Sequence, residues 1–355
     1  MIASAHIIGG GALGGAELFY VRLVNALQAR GQPVLAINLS GGQISSRLQA
    51  DVAQAHVPMR GIWDWPSRWR IGVILRQHQP DIVQTYMGRA TRLTHLDPGR
   101  RPIHVARLGG YYDLKGYRHA HAWVGNTQGI CDYLVRNGLP AERIAHISNF
   151  VDIPAVSSPE QVAGWRRRLA IPEDALVLAS VGRLHPVKGF EDLLTALAMF
   201  GTTLCHRPLV LVIVGDGPLN AGLRNYAEQL GIGSQIRWAG WQIDPHPYYE
   251  LADLFICPSR HETLGNVILE AWAHGRTVLS TQTPGALELI AHGEDAWLVP
   301  PQNPRALADG IRLLLGDEPL RARLASQGRQ KVKNHYSQPH IVNAYLDFYQ
   351  RLLTT

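Results

Sequence analysis

LVLASVGRLHPVKGFEDLLTALAM, residues 176–199, is the stretch of sequence that decides the fold. Its apolar opening, Leu176 to Val181, predicts a buried strand, and the segment from Phe190 to Met199 has the spacing of a helix. The loop that joins them begins and ends with glycine. A buried strand that leads through a short loop into a helix is the repeating unit of a parallel α/β sheet.

The same alternation recurs on both sides of this stretch. A polar segment around 151–160, with Pro154 and Pro159, predicts a linker between two domains. We therefore predict an α/β fold of two Rossmann-like, doubly wound domains, residues 1–155 and 156–338, which face each other across a cleft. Ligands of such sheets bind at the carboxyl ends of the strands. The predicted strands are 2–8, 33–38, 81–85, 103–108, 122–125, 144–149, 176–181, 209–214, 236–239, 254–257 and 277–280.

The composition is that of an ordinary globular protein. With 355 residues, 46% of them hydrophobic, the chain is long enough for two cores. The first residues lack a basic flank and no apolar run reaches bilayer length, so we expect neither a signal peptide nor a membrane span. The cysteines are odd in number and widely spaced, which argues against a disulfide framework and a zinc-ligand pattern. We expect a reduced, cytoplasmic protein.

The positive charge lies in the first half of the chain. Residues 1–155 contain 16 Lys and Arg against 9 Asp and Glu, whereas the remainder contains 18 against 19. A basic surface attracts nucleic acid, acidic lipid headgroups or phosphorylated glycans. We do not expect a nucleic-acid partner, since no basic run or nucleic-acid-binding motif is present. The segment 62–70 interleaves three Trp with two Arg, which suits a membrane interface or a glycan surface, while core packing of these Trp is the alternative.

The segment 260–270, RHETLGNVILE, places two carboxylates eight positions apart. Asn266 to Ala273 predicts a short helix, whose unpaired amides and dipole form an anion site just behind Glu262. Glu270 lies about 6–7 Å further along the helix axis. This offset roughly matches the distance from a diphosphate to its ribose, so the segment predicts a site for a sugar joined to a nucleoside diphosphate.

Two cations lie in the loop between the strand at 176–181 and the following helix. Arg183 can bind phosphate oxygens through its forked guanidinium, and Lys188 can act as a point charge. Together they can offset the charge of a departing diphosphate. The alternative for any such pair is a role as solvated loop cations.

A glycine-rich loop follows the first strand. Gly9, Gly11 and Gly14 satisfy the G-x-G-x-x-G spacing, but no acidic residue ends the second strand, which disfavours a nicotinamide dinucleotide. Gly14 and Gly15 still permit close approach of the backbone to a phosphate.

Two further strand ends face the predicted site. The turn at 214–218, VGDGP, is interpreted as structural. The segment 236–241 ends in Trp241, which is a candidate to line a base pocket, with burial of both its Trp side chains in the core as the alternative.

These motifs in their order resemble the retaining family 4 glycosyltransferases of the GT-B fold. The resemblance is carried by Gly182-Arg183 with Lys188-Gly189, Gly215-Asp216-Gly217-Pro218, Pro258-Ser259 with Glu262, Gly265 through Glu270, and more loosely by Gly14-Gly15-Ala16-Glu17. It implies that the second domain holds the nucleotide sugar and the first domain the acceptor. It also implies that a final helix, Pro339 to Leu353, returns to the first domain, so that 339–355 belong to it.

The resemblance assigns roles to individual positions. Arg183 and Lys188 would bind the diphosphate, Glu270 the ribose hydroxyls and Glu262 the donor sugar. Backbone amides near Leu264, Gly265 and Asn266 would contact sugar or phosphate. Many relatives carry a histidine after the strand 103–108 that reaches the donor sugar, whereas this chain has Gly109 there; Arg89, Arg107 and Tyr111 are candidates to replace it.

The activity implied is transfer of a hexose-like unit to a hydroxyl of a glycan or lipid-linked acceptor, with retention at the anomeric carbon. Catalysis would be largely electrostatic. No cofactor or metal is expected, because the sequence contains no evident pair of acidic residues for a divalent metal. By analogy the product is a bacterial lipopolysaccharide or surface polysaccharide, made at the inner face of the cytoplasmic membrane. A nucleotide-sugar epimerase or hydrolase, and a non-catalytic glycan-binding protein, are the alternatives.

Overall fold

The computed structural model describes residues 1–11 and 14–354. Contacts divide the chain into two units, the first comprising Met1–Phe150 with Gln338–Thr355 and the second Val151–Ser337. The first unit ends at Phe150, whereas the sequence analysis placed its end at residue 155. Residues 12 and 13 of the predicted glycine loop lie outside the described residues.

Both units are built from short strands joined by helices. The strands are β1 Ser4–Ile8, β2 Val34–Asn38, β3 Ala53–His56, β4 Ile82–Tyr86, β5 Ile103–Leu108, β6 Ala122–Gly125, β7 Ile144–His146, β8 Leu176–Val181, β9 Thr203–Leu204, β10 Arg207–Val214, β11 Ile236–Gly240, β12 Leu254–Cys257, β13 Val278–Thr281 and β14 Trp297–Val299.

The α-helices lie between these strands or, for the last three, after them. They are α1 Gly15–Ala29, α2 Trp65–His78, α3 Met87–Leu93, α4 Gln128–Arg136, α5 Pro159–Arg168, α6 Phe190–Leu197, α7 Asn220–Gln229, α8 His246–Leu251, α9 Asn266–Ala273, α10 Pro284–Leu289, α11 Pro304–Gly316, α12 Glu318–His335 and α13 Gln338–Thr354.

The first unit has one parallel sheet with the strand order β3-β2-β1-β4-β5-β6-β7. The inner strands β1, β2 and β4 are buried along their whole length, as expected for strands covered by helices on both faces. The order reverses between β1 and β4, so the sheet is doubly wound, as predicted.

The last helix, α13, completes the core of the first unit. Tyr345 and Tyr349 are fully buried there, and the ring of Phe19 on α1 lies 6.3 Å from that of Tyr345. The hydroxyl of Tyr349 donates a 2.7 Å hydrogen bond to the side-chain carbonyl of Gln84 on β4. The final helix thus belongs to the first unit, as the resemblance implied.

The second unit has a parallel sheet with the order β11-β10-β8-β12-β13-β14, and β9 pairs antiparallel with β10. Its central strands β8, β10 and β12 lie close to their predicted positions. Because β8 and β12 are parallel neighbours, the loops that follow them leave the same edge of the sheet. This edge carries the motifs with Arg183, Lys188 and Glu262. Within the part of the chain that the structure describes, none of the helices is both long and apolar enough to cross a bilayer.

Candidate functional site

The loops after β8 and β12 pack directly on each other. Gly189 has φ +66°, and a Cβ at this position would lie 2.1 Å from the carbonyl oxygen of Pro258. Only glycine therefore permits this contact. The backbone N–H of Arg260 donates a 2.8 Å hydrogen bond to the carbonyl of Val187. Two segments that are about 70 positions apart in sequence thus form one wall of the site.

An ion pair clamps the same two loops. The guanidinium of Arg260 donates two 2.9 Å hydrogen bonds to the carboxylate of Asp192 and lies 3.3 Å from that of Glu191. This bidentate contact raises the pKa of Arg260. The sequence pattern does not reveal the contacts of Arg260, because its partners come from the first turn of α6. Its contacts give it a positioning role.

Lys188 and Glu262 meet inside this wall. The ammonium of Lys188 donates a short hydrogen bond to the Glu262 carboxylate, and both side chains are mostly buried. The hydroxyl of Ser259 donates a 3.3 Å hydrogen bond to the same carboxylate oxygen. A cation and an anion in contact are suited to the junction of a diphosphate with a sugar, where phosphate oxygens need a cation and sugar hydroxyls an acceptor.

Cys257, at the end of β12, lies next to this pair. Burial raises the pKa of its thiol, and the Glu262 carboxylate raises it further. The thiol is therefore neutral near pH 7 and does not serve as a nucleophile there.

Arg183 differs from Lys188 in its surroundings. Its side chain is exposed. Among residues 1–11 and 14–354 it has no hydrogen bond or ion pair. A guanidinium without partners at this edge of the sheet can turn toward an anion without breaking any existing contact. The same loop thus contains both predicted cations. Lys188 is paired with Glu262, whereas Arg183 has no partner among the described residues.

The helix α9 begins where the sequence predicted. Gly265 precedes it with φ +92°, a conformation that favours glycine. Leu264 is buried, and its carbonyl lies so close to Gly285 of α10 that a Cβ at Gly285 would overlap it. The helix N-terminus carries a partial positive charge. Leu264, Gly265 and Asn266 thus lie at this helix start, as the predicted contacts with sugar or phosphate require.

Glu270 lies in the middle of α9. Its carboxylate accepts a 2.7 Å hydrogen bond from the hydroxyl of Tyr249 on α8. Tyr249 is fully buried and stacks on the imidazole of His274 at 4.8 Å. The carboxylate is therefore held in one orientation before any ligand arrives, an arrangement that lowers the entropy lost on binding.

Trp241 follows the end of β11 with 55% of its surface exposed. Trp238, on the strand itself, is half-buried and stacks against the guanidinium of Arg224 at 4.9 Å. The interpretation that both Trp side chains belong to the core is wrong for Trp241. A contact between Trp241 and a base stays a prediction.

The glycine loop of the first unit carries a carboxylate of its own. The side chain of Glu17, buried on the first turn of α1, accepts a 3.1 Å hydrogen bond from the Gly14 N–H. A Cβ at Gly10 would overlap this carboxylate. The carboxylate thus occupies the Gly14 N–H, and the contact of Gly14 and Gly15 with a phosphate stays a prediction. The sequence signal was the spacing Gly14 to Glu17, which matches half of a capping box.

The three candidates for the missing histidine differ in accessibility. Arg107 is buried, stacks 4.1 Å from the ring of Phe19 and donates hydrogen bonds to Asn149 and Tyr345, so its guanidinium serves the core of the first unit. Arg89 is exposed, although it donates to the carbonyls of Gly9 and Met59 at 3.0 and 3.2 Å. Tyr111 is half-exposed. Arg89 and Tyr111 remain predictions, and the contacts of Arg107 favour a structural role.

Three exposed tryptophans, Trp63, Trp65 and Trp69, form what we call the tryptophan patch. They expose 78%, 65% and 70% of their surface, so the core alternative is wrong for each of them. Trp63 and Trp65 line a cavity of about 420 Å³ whose wall also contains the cations Arg68, Arg92 and Lys115.

The model of glycosyl transferases group 1 matches residues 162–331, and that of glycosyltransferase family 4 matches residues 13–154. The lipopolysaccharide core biosynthesis glycosyltransferase LpsE of Rhizobium meliloti (strain 1021) is 33% identical over 94% of this chain and 95% of its own length. LpsD of the same organism is 30% identical over 96% of each chain.

The fold has close counterparts among solved structures. That of Anabaena HepE in complex with UDP-glucose superposes with a TM-score of 0.84 over the full length of both chains, at 21% sequence identity. Two doubly wound parallel units, together with this structural likeness to HepE, identify the fold as GT-B. The chain belongs to the family 4 glycosyltransferases. The resemblance inferred from the motifs is confirmed.

Proposed function

We propose that the protein transfers a sugar from a nucleoside diphosphate to a hydroxyl of a glycan or lipid-linked acceptor, in the synthesis of lipopolysaccharide or a related surface polysaccharide. The observation that carries the proposal is the contact of Lys188 with Glu262 beside the start of α9, with unpaired Arg183 on the same loop. The names of LpsE and LpsD support the acceptor class. The UDP-glucose bound to HepE supports the donor class.

In the proposed reaction the bond between the anomeric carbon and the β-phosphate oxygen breaks. The acceptor oxygen forms its bond to the same face of the anomeric carbon, so configuration is retained. The departing phosphate oxygen takes the proton of the acceptor hydroxyl, and no enzymic base is required. The negative charge that builds on the diphosphate is stabilised by Lys188, Arg183 and the N-terminus of α9. Glu262 binds hydroxyls of the sugar, and Glu270 those of the ribose.

No divalent ion is required in this scheme, since two cationic side chains and a helix N-terminus bind the diphosphate. We expect the transfer rate to be unchanged when Mg²⁺ and Mn²⁺ are omitted from the assay. We propose that the reaction takes place at the cytoplasmic face of the membrane.

The test is product analysis by mass spectrometry, with UDP-, GDP- and ADP-sugars offered in the presence and absence of lipopolysaccharide core acceptors. We expect a glycosylated acceptor and one nucleoside diphosphate released for each sugar transferred. Donor isomerised without an acceptor would indicate an epimerase, rapid donor breakdown indifferent to acceptor a hydrolase, and binding of glycan without any turnover a non-catalytic protein. Each of these results would contradict the proposal.

Replacement of Glu270 by alanine is expected to weaken nucleotide binding. The variant loses charge-assisted hydrogen bonds to two ribose hydroxyls. Each such bond contributes roughly 1.5–3 kcal/mol, so the loss of one bond alone lowers the affinity about ten- to a hundredfold. Calorimetry with UDP, GDP and ADP measures the change. Tyr249→Phe removes one hydrogen bond to the carboxylate but keeps its charge, so we expect a smaller loss. An unchanged dissociation constant in Glu270→Ala would refute the assignment.

The tryptophan patch is proposed to contact an anionic membrane surface. Exposed indoles suit the headgroup region, and the cations beside them suit acidic lipids. We expect the triple variant Trp63→Ser, Trp65→Ser, Trp69→Ser to bind phosphatidylglycerol vesicles at least about tenfold more weakly in a sedimentation assay. Added salt should weaken wild-type binding. Trp241→Ser, which alters an exposed Trp of the second unit, is the matched control. Equal binding by wild type and triple variant would rule the contact out.

A further inference from the structure

A cluster of three side chains lies at the end of α9 and plays no part in the reaction proposed above. His246 is the first residue of α8, Glu250 lies one turn later, and His274 directly follows α9. One ligand atom from each residue lies within 4.8 Å of those of the other two. Glu250 is buried, and both histidines are half-buried. Two imidazoles and a carboxylate at this spacing are metal ligands by type and number.

The fold explains why these residues meet. His246 and Glu250 are four positions apart on one helix and therefore share a face. The helix α8 ends just before β12 begins, whereas α9 starts after the far end of β12 and runs back along it. The end of α9 consequently lies beside α8, at the amino ends of the strands and away from their carboxyl edge.

Hydrogen bonds orient both imidazoles. His274 Nδ1 lies 2.7 Å from the backbone carbonyl of Glu270, and a carbonyl only accepts, so Nδ1 carries the proton and Nε2 the lone pair. This Nε2 is 2.8 Å from Nδ1 of His246. The other nitrogen of His246, Nε2, lies 3.0 Å from the hydroxyl of Ser157. Each ring thus has its outer nitrogen held by a polar group, which is the support that metal-binding histidines have.

The carboxylate is supported in the same way. Oε2 of Glu250 lies 3.3 Å from the guanidinium of Arg276, which also donates to the Ala252 carbonyl. A buried carboxylate therefore has one of its oxygens paired with a cation.

We propose that His246, Glu250 and His274 bind a divalent transition-metal ion, with Zn²⁺ the best match to two nitrogens and one oxygen. Calcium and magnesium prefer oxygen ligands and are excluded by the imidazoles. Tetrahedral Zn²⁺ at about 2.0–2.1 Å from each nitrogen requires the two rings to separate by a few tenths of an ångström from their present hydrogen bond. A water molecule completes the coordination.

The ion would tie two segments of the second unit together. His246 and Glu250 belong to α8, and His274 directly follows α9, the helix that carries Glu270. Its role is to stabilise and position, since no side chain of the donor site binds it. The proposal does not depend on the proposed function, because it rests on other side chains.

The test uses the full-length protein dialysed against a chelator and titrated with Zn²⁺ in competition with a chromophoric chelator. We expect one equivalent to bind. His246→Ala and His274→Ala should abolish this binding, and Ser157→Ala, which removes only the support of His246, should weaken it about tenfold. His78→Ala, which alters an exposed histidine of the first unit, should bind as wild type does. Zn²⁺ should raise the melting temperature of wild type but not that of His246→Ala.

Wild-type protein loaded with Co²⁺ gives a readout that does not depend on any variant. Coordination by four ligands produces visible absorption bands far stronger than those of the aqueous ion, and we expect these bands at one equivalent. Absence of the bands, or Zn²⁺ affinity in a folded His246→Ala variant equal to that of wild type, would show that the histidines form only a hydrogen-bonded pair and would overturn the proposal.

Discussion

Lys188→Ala is expected to reduce the turnover number about 100- to 1000-fold, the loss seen when one fixed donor to transition-state charge is removed. The ammonium group is held by Glu262 beside the start of α9, where the charge of the departing diphosphate builds up. Affinity for the donor should change less than turnover, because this charge is greatest in the transition state. Release of nucleoside diphosphate under saturating donor and acceptor measures the effect.

Removal of Lys188 also leaves the Glu262 carboxylate without its cation, so stability must be followed separately. The double variant Lys188→Ala, Glu262→Gln removes both charges and should restore the melting temperature but not the activity. Lys333→Ala, on an exposed face of α12, is the matched control and should behave as wild type. Turnover by a folded Lys188→Ala variant within about twofold of wild type would eliminate the role of this cation.

Arg183→Ala is expected to cause a loss of similar size with no change in melting temperature. The side chain is exposed and has no partner among the described residues, so its removal breaks no contact of the unliganded protein. Charge-assisted contacts of a guanidinium with phosphate form only when the donor is bound. Steady-state kinetics together with thermal unfolding separate the two effects, and Arg100→Ala provides a matched exposed arginine.

The outcome for Arg183 distinguishes the two interpretations of the loop. A solvated loop cation would leave both kinetics and melting temperature unchanged on substitution. A cation with a structural role would lower the melting temperature while leaving the turnover of the folded fraction intact. Either result would remove Arg183 from the catalytic groups.

Much of the fold could be predicted because its strands are buried. Leu176–Val181 and Leu254–Cys257 are continuous apolar runs, and a parallel sheet with helices on both faces requires such runs. The edge strand Ala53–His56 escaped prediction, since it is partly exposed and its sequence, AQAH, has no strand pattern. It pairs with β2 through backbone hydrogen bonds, which the pattern of its side chains does not predict.

The site was predictable in its residue types but not in its contacts. The motifs placed Lys188 and Glu262 on loops at one edge of a sheet, yet their direct pairing depends on how those loops pack. The same holds for the clamp between Arg260 and Asp192 and for the Glu17 carboxylate at Gly14. Composition alone did not decide whether the tryptophans at 63, 65 and 69 are buried, because indoles are common both in cores and at interfaces.

The position of α13 sets an order of events on the ribosome. Tyr345 and Tyr349 belong to the core of the first unit but are translated after the whole of the second. At about 5–20 residues per second, the nascent amino-terminal half waits roughly ten to forty seconds for the helix that covers it. We therefore expect the second unit, whose residues are all synthesised before α13, to complete its core earlier than the first unit.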